Sequence, residues 1–269
     1  MKFVALLVAA VLSWAAASGA GAAEGGDPLY TSQAVITGQD NIPERERGFR
    51  ETLADVLVRL SADPGAPESP AGKALIAEAG RYVAAFDLLD RKKGIQISDE
   101  QGTRDRAYIL TVRFDRDALK PAMEAAGMPV WEGARPTTAV FLGIDDTVRR
   151  YVLSETSRRG YGQRETLQSL SGRLSMPIVI PPEPVPVAFD ALVDPDPAAL
   201  GTLAAGLGAD ASLAGTLALG EGGYWTLRWV GVPGPGGTPV EGRVEGVTFD
   251  VALRDAMVSA MRAARQAAP

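Results

Sequence analysis

The chain contains no cysteine among its 269 residues, and this absence limits what can stabilise any fold that it adopts. Neither disulfides nor thiolate-bound metal can hold the structure together, so the free energy of folding must come from buried apolar surface. Apolar residues make up 46% of the sequence and charged residues 22%, which is typical of a globular protein and not of a disordered one. A chain of this length is long enough for two modest hydrophobic cores.

The first residues have the pattern of a secretory signal peptide. Lys2 supplies a positive charge, residues 3–17 are uncharged and rich in Leu, Val and Ala, and small residues follow through Ala23. We expect a signal peptide over residues 1–23, export by the Sec route, and cleavage near Ala22 or Ala23 to give a periplasmic protein. The alternative is that the segment stays attached as a membrane anchor, although its last six residues are only Gly, Ala and Ser.

The chain also contains no histidine, which narrows the chemistry available to it. Without histidine and cysteine, Ser–His and Cys–His nucleophiles, histidine-bound zinc or haem, and HExxH peptidases are excluded. Catalysis would have to use paired carboxylates, a Ser–Lys dyad, or Ca²⁺ or Mg²⁺ held by oxygen atoms. A net charge of −6 argues against nucleic acid as a partner. We find no catalytic motif and predict no catalytic residue, no cofactor and no resident metal.

The periodicity of the first half predicts an α+β domain over residues 24–128. The predicted elements are, in chain order, a strand over 29–37, a helix from Pro43 to about Leu60, a second helix ending near Arg81 with Val83 on its inner face, a strand around Ile95 and Ile97, a strand over 108–114, and a helix over 116–126. Asp115 is placed to cap the last of these helices and Gly127 to end it.

A linker over residues 129–137 separates this domain from a second, α/β-type domain over residues 138–266. The predicted elements there are a strand over 138–144, a helix over 163–175, a short strand over 177–180, a helix from 197 to about 208, strands over 211–219, 224–230 and 243–247, and a helix from 248. The order βαβαβββα predicts a layered sheet with helices. The fold class is therefore α+β, with two small mixed-sheet domains and helices packed on the sheets.

Several short motifs resemble one bacterial family. They are VLVRLS at 56–61, LTVRFD at 110–115, AGMPVW at 126–131 and the pair Arg135-Pro136, followed in the second half by GADASLAGTL and YWTLRWV. In order and spacing they resemble the family called domain of unknown function 2066, except that Ala62 stands where we expect glycine. The resemblance implies an exported envelope protein of Gram-negative bacteria without an assigned activity, and it supplies no catalytic residues.

At the level of fold alone, the second half is also similar to two groups of envelope proteins. These are the N-terminal domains of the Tol-system translocation protein and of penicillin-binding-protein activators, which serve as partner-binding modules. Because fold does not determine function, this similarity implies a binding role by analogy only.

The most uneven charge in the sequence is a run of arginines early in the second domain. Arg149, Arg150, Arg158 and Arg159 lie in a stretch that is poor in acidic residues, and they are the candidate partner-binding residues. On an acidic protein such a run could dock an acidic partner, anionic lipid headgroups or a cell-wall polymer; the alternative is a solvated loop and helix face. Trp131, in the Pro-flanked linker, is the candidate interdomain contact.

Other motifs have structural explanations beside their functional ones. Asp145 and Asp146 follow a predicted strand and could help to hold Ca²⁺ or form half of a carboxylate pair, but such pairs also arise as turn formers. The glycine-rich segment 206–208 imitates a dinucleotide-binding loop, yet it ends a helix and precedes a strand. Trp225 and Trp229 share one strand face and could form an exposed binding platform, but we expect them in the core beneath the last helix.

These observations favour a non-catalytic periplasmic binding or scaffold module for an envelope component. One alternative is a carboxylate-dependent hydrolase that acts on a cell-wall or other periplasmic substrate. Another is a membrane-held envelope protein that keeps its leader. The expected partner is an envelope protein or a cell-wall component, and we expect no stable membrane insertion after the leader is cleaved.

Overall fold

The computed structural model describes residues 26–90, 106–234 and 237–268. The protein has an α+β fold with two sheets, as the sequence predicted. The predicted leader and the strand expected around Ile95 and Ile97 lie outside the described residues. Over the ranges that are described, no helix is both long enough and apolar enough to span a bilayer.

The first sheet has three antiparallel strands in the order β1-β3-β2 and is covered on one face by a long helix. Its elements are β1 (Thr31–Thr37), α1 (Ile42–Ser61), α2 (Pro70–Ala77), β2 (Val83–Asp90), β3 (Ala107–Phe114) and α3 (Arg116–Ala125). Leu110 and Val112 are two residues apart on β3, so their side chains lie on the same face of the sheet. This face packs against Leu53 and Leu57 of α1. The apolar face predicted for α1 is therefore the face that it buries.

The segment after α2 differs from the prediction. The sequence favoured one helix to about Arg81 with Val83 on its inner face, but α2 ends at Ala77, a 3-10 turn spans Ala79–Tyr82, and Val83 begins β2. Leu75, Ala79 and Tyr82, which follow the helical spacing, are nevertheless all buried. They belong to the hydrophobic core between the first sheet and α1, which we call the first core. A short helix followed by a 3-10 turn therefore buries these side chains as well as one longer helix would.

The second sheet is mixed and has six strands. Its elements are β4 (Thr138–Asp145), β5 (Arg150–Val152), α4 (Tyr161–Leu174), β6 (Ile178–Val179), α5 (Pro197–Gly206), β7 (Ala211–Leu219), β8 (Trp225–Val232), β9 (Val240–Val247) and α6 (Phe249–Ala267). Strand β4 lies parallel to β6 and β7, whereas β5 pairs with β4 in the antiparallel sense, as do β8 with β7 and β9 with β8. Each element predicted for this half is present, and β5 is an additional strand that the pattern did not indicate.

Helices cover both faces of this second sheet. Val140, Leu142 and Ile144 of β4 belong to the larger core with α4 and α6, whereas Ala139 and Phe141 belong to a smaller core with α5. Because alternate residues of β4 are buried on opposite faces, the strand is a continuous apolar run in the sequence.

The ends of two helices agree with the sequence signals. The Oδ1 atom of Asp115 accepts hydrogen bonds from the backbone N–H groups of Asp117 (2.9 Å) and Ala118 (3.2 Å), which caps α3 as predicted. Gly127 and Gly208 follow α3 and α5 with φ of +74° and +71°, in the left-handed region that favours glycine. The segment 206–208 is therefore a helix end and not a dinucleotide-binding loop.

Helix α1 is shared by the two cores. Its residues Leu57 and Leu60 pack in the first core, whereas Val58 and the following Ala62 pack in the larger core of the second sheet. Ala62 ends the helix with φ of +52°, again in the left-handed region, and this is the position where we expected glycine. The C-terminal turn of α1 therefore joins the two halves of the chain.

Candidate functional site

Three of the four candidate partner-binding arginines form no ion pair with another described residue. Arg149 lies on the turn before β5, and Arg158 and Arg159 lie on the loop between β5 and α4. All three are exposed, and within the described chain none of them forms a salt bridge. We call Arg149, Arg158 and Arg159 the basic patch.

Arg164 holds the loop of the basic patch in place. Its side chain is 9% exposed, and its Nη1 atom donates to the carbonyl oxygens of Ser154 (3.1 Å) and Arg159 (2.5 Å). Gly160 precedes α4 with φ of +69°, and a Cβ there would fall 2.4 Å from Cδ1 of Leu153. Charge-assisted hydrogen bonds and close packing therefore fix the backbone that presents the patch.

Apolar and aromatic side chains flank the basic patch. Val148 is 80% exposed and Tyr161 is 66% exposed. Burial raises the pKa of the Tyr151 phenol, the charge of Asp146 raises it further, and the charges of Arg159 and Arg164 lower it. Arginine and tyrosine beside small apolar areas are typical of binding hot spots.

Arg150 does not belong to the basic patch. Its Nε atom donates to Oδ2 of Asp145 at 2.8 Å, and its guanidinium carbon lies 5.6 Å from the centre of the Phe189 ring. Because side chains alternate along a strand, Arg150 and Tyr151 point to opposite sides of β5. The sequence grouped Arg150 with the other three arginines, and the structure instead places it in a local ion pair.

The acidic pair after β4 forms a turn. Oδ1 of Asp145 accepts a hydrogen bond from the Thr147 N–H (3.2 Å), and Oδ1 of Asp146 accepts one from the Arg149 N–H (2.7 Å). The hydrogen bond from Arg150 lowers the pKa of the Asp145 carboxyl. Across the described ranges, no group of three or more acidic side chains is placed to hold a metal ion. The turn-forming interpretation therefore accounts for these oxygens.

The two tryptophans of β8 pack as core residues. Trp229 is 6% exposed and belongs to the larger core, and the ring of the half-buried Trp225 meets Phe249 of α6 edge-on, with 6.1 Å between centroids. Gly242 of β9 makes room for the Trp229 indole, because a Cβ at that position would fall 2.5 Å from it. Both tryptophans thus lie beneath α6 and form no open binding platform.

Trp131 lies where the two cores meet. It is 7% exposed and packs in the same cluster as Val58 of α1 and the second sheet. Its backbone N–H donates to the Leu60 carbonyl at 2.7 Å, and the Arg135 guanidinium stacks over its ring, 4.1 Å from the centroid. Nη2 of Arg135 also donates to the Arg59 carbonyl at 2.9 Å. Three motifs that carried the family resemblance, VLVRLS, AGMPVW and Arg-Pro, therefore meet at one place.

A groove lies between α1 and α4, and sequence reasoning did not identify it. Its volume is about 480 Å³, and its lining side chains come from β1, α1 and α4: Ser32, Gln33, Arg59, Gln168, Ser169 and Arg173. Arg59 is 1% exposed and is the largest of the fully buried side chains. An arginine inside the apolar motif VLVRLS was the one signal that could have pointed to this groove, because a buried arginine needs specific partners.

Comparison with known proteins gives one match, which covers part of the chain. Residues 23–132 match a family model described as a domain of unknown function (DUF8605). This is a different family from the domain of unknown function 2066 that the motifs resemble. No curated protein and no solved structure matches the chain. The first sheet and Trp131 are thus similar to a family without an assigned activity, and the second sheet lies outside the matched range.

Proposed function

We propose that the protein is an exported, periplasmic binding module that docks an acidic or anionic component of the cell envelope through the basic patch. The observation that carries this proposal is that three exposed arginines have no salt bridge among the described residues and lie beside the exposed Val148 and Tyr161. The whole chain has a net charge of −6, so the patch presents a local field opposite to the overall charge. A field of that kind orients an approaching acidic partner.

Preorganisation of the loop supports the same proposal. Arg164 fixes the loop before any partner binds, and an ordered loop loses less conformational entropy on binding than a mobile one does. The alternative of a carboxylate-dependent hydrolase draws no support from the acidic pair after β4, because both oxygens of Asp145 and Oδ1 of Asp146 already accept hydrogen bonds from the turn and from Arg150. Binding requires none of the chemistry that the absence of histidine and cysteine excludes.

Photo-crosslinking in intact cells tests the proposal. A photoreactive residue in place of Val148, at the edge of the patch, is expected to trap one envelope component. The matched control carries the same residue in place of Val251, an exposed valine on α6 that is 48% exposed. Adducts of equal yield and composition from the two positions would contradict a specific site at the patch.

Charge reversal identifies the part played by the arginines. Arg158→Glu together with Arg159→Glu is expected to abolish the adduct formed at position 148, because it replaces attraction with repulsion. Arg50→Glu together with Arg254→Glu makes the same change of charge at two other exposed arginines and is expected to leave the adduct intact. An adduct that survives the first double variant would overturn docking through the basic patch.

The location is tested separately by fractionation and mass spectrometry. We expect the protein in the osmotic-shock fraction, with a mature N-terminus at Ala23 or Glu24. A full-length chain recovered from the membrane fraction would support the alternative in which the leader remains as an anchor.

A further inference from the structure

Arg59 is a buried cation that forms no salt bridge with a carboxylate among the described residues. It is 1% exposed; its Nε atom donates to the Arg173 carbonyl (2.6 Å), and its Nη1 atom donates to the carbonyls of Pro28 (2.5 Å) and Thr31 (2.6 Å). Buried charges are usually paired with an opposite charge, because removing an isolated ion from water is costly. Carbonyl dipoles offset part of that cost but leave the net charge of the guanidinium in place.

The acidic side chain one turn earlier on α1 is already engaged. Asp55 binds Arg173 through both oxygens, at 2.8 and 3.1 Å, and its Oδ2 atom also accepts a hydrogen bond from Oγ of Ser32 at 3.4 Å. A second carboxylate, that of Asp27, acts on Arg59 from an exposed position where water screens its charge. At the groove itself, two arginines therefore share one carboxylate.

One nitrogen atom of the Arg59 guanidinium remains available as a donor. In the described part of the chain, Nη2 has no hydrogen-bond partner. Among the residues that the structure describes, the polar side-chain atoms that are sealed from solvent without a partner belong to Trp131, Arg135, Ser212 and Trp229, and Arg59 contributes none of them. Arg59 is one of the residues that line the groove, and Nη2 is its one guanidinium nitrogen without a hydrogen-bond partner among the described residues.

We propose that the groove between α1 and α4 binds a small oxyanion, a carboxylate or phosphate group, which accepts hydrogen bonds from Nη2 of Arg59 and supplies a second counter-charge beside the Asp55 carboxylate that Arg59 and Arg173 share. The guanidinium is anchored on carbonyl groups, so it is preorganised and loses little side-chain entropy when the anion binds. The volume of about 480 Å³ suits a ligand of small-molecule size. This site involves none of the basic-patch residues and does not depend on the proposed function.

The walls of the groove indicate what accompanies the anionic group. They carry uncharged hydroxyl and amide side chains, namely Ser32, Gln33, Gln168 and Ser169. Hydroxyl and amide groups both donate and accept hydrogen bonds, so they complement hydroxyl or amide groups on the ligand.

Titration of the purified protein with acetate, D-glucuronate and inorganic phosphate tests the proposal, with chloride at equal ionic strength as the reference. We expect saturable shifts of the backbone amide resonances of Gln33, Gln168 and Ser169, and a Tm that rises with probe concentration. A response to the two carboxylates alone identifies a carboxylate ligand, and a response to phosphate alone identifies a phosphate ligand. Absence of a saturable response to all three probes overturns the proposal.

Three variants locate the response. Gln168→Glu adds a negative charge to the exposed wall of the groove and is expected to weaken binding about tenfold. Gln266→Glu makes the same change at an exposed position of α6 and is expected to leave the affinity unchanged. Arg59→Gln is expected to abolish binding, and where that variant fails to fold, Gln168→Glu decides. Equal affinity in Gln168→Glu and the unaltered protein places the ligand elsewhere and overturns the proposal.

Discussion

Arg173 of α4 and Asp55 of α1 form a bidentate ion pair, with Nη2 2.8 Å from Oδ1 and Nε 3.1 Å from Oδ2. The hydrogen bonds to Asp55 raise the pKa of the Arg173 guanidinium. Oδ2 of Asp55 also accepts from Ser32, so a single carboxylate connects β1, α1 and α4. The same carboxylate acts on Arg59, and it therefore offsets the repulsion between two neighbouring guanidinium groups.

Because this carboxylate is shared, we predict that replacing Asp55 lowers the free energy of unfolding more than replacing Arg173 does. Asp55→Asn leaves Arg59 and Arg173 facing each other without a counter-charge and is expected to lower the free energy of unfolding by about 2 kcal/mol. Arg173→Gln removes one of the two cations and is expected to cost about 1 kcal/mol. Urea unfolding measures both values, and equal losses would contradict a carboxylate shared between two arginines.

A matched control for this comparison is the exposed pair of Arg81 and Glu78. Their side chains are 75% and 59% exposed and lie 3.3 Å apart. Because water screens such a pair, Arg81→Gln is expected to change the free energy of unfolding by less than about 0.5 kcal/mol.

Glu132 connects the segment before β4 to α3 and to Tyr30, which directly precedes β1. Its carboxylate accepts hydrogen bonds from Lys120 (2.6 Å), Arg116 (3.0 Å) and Tyr30 (2.8 Å). Burial alone would raise the pKa of this carboxyl, but the hydrogen bonds from these three residues outweigh it and lower the pKa from 4.5 to about 2. A carboxyl with a lowered folded-state pKa stabilises the fold above its unfolded pKa, and that stabilisation is lost as pH falls toward the folded value.

We therefore expect the effect of Glu132→Gln to depend on pH. At neutral pH it should lower the free energy of unfolding by about 1–2 kcal/mol, and the difference from the unaltered protein should shrink as pH falls from 4.5 to about 2. Urea unfolding at stepped pH values measures this difference. Glu124→Gln, at an exposed position of α3, is the control and should show no comparable pH dependence. A loss that stays constant with pH would indicate packing and not ionisation.

The fold was predictable where two independent local signals agreed. Helix α3 has a capping Asp115 at one end and Gly127 at the other, and β4 is a continuous apolar run because both of its faces are buried. Strand β2 was missed because Val83 continues the helical spacing of α2, and this strand buries no residue completely. Strand β5 has three residues, too few for a period to appear in the sequence.

The candidate sites were less predictable because they depend on contacts between distant residues. The run of arginines is visible in the sequence. Only the pairing of β5 with β4 shows that Arg150 forms an ion pair with Asp145 and is therefore not part of the basic patch. The carbonyl partners of Arg59 come from Pro28, Thr31 and Arg173, in three segments that no local pattern connects. Composition and periodicity carry no information about such convergence.

Arg164→Met tests whether Arg164 orders the loop of the basic patch. The substitution removes the hydrogen bonds to the Ser154 and Arg159 carbonyls while keeping an unbranched side chain. Limited trypsin digestion after Arg158 and Arg159 is expected to become about tenfold faster, because local opening of the loop becomes more favourable. Arg254→Met on the exposed face of α6 is the control. Unchanged cleavage in Arg164→Met would show that packing alone orders the loop.

Gly215 is the position where β7 and β8 leave no room for a side chain. A Cβ at Gly215 would fall 1.9 Å from the Arg228 carbonyl oxygen and 2.8 Å from Cα of Trp229, so an alanine would force the two strands apart. Gly215→Ala is expected to cost more than about 3 kcal/mol or to prevent folding. Gly201→Ala, in the exposed interior of α5 with no atom within 4 Å, is expected to gain about 0.5–1 kcal/mol from helix propensity. Thermal unfolding compares the two variants, and a Gly215→Ala protein with an unchanged Tm would contradict the close approach of β7 and β8.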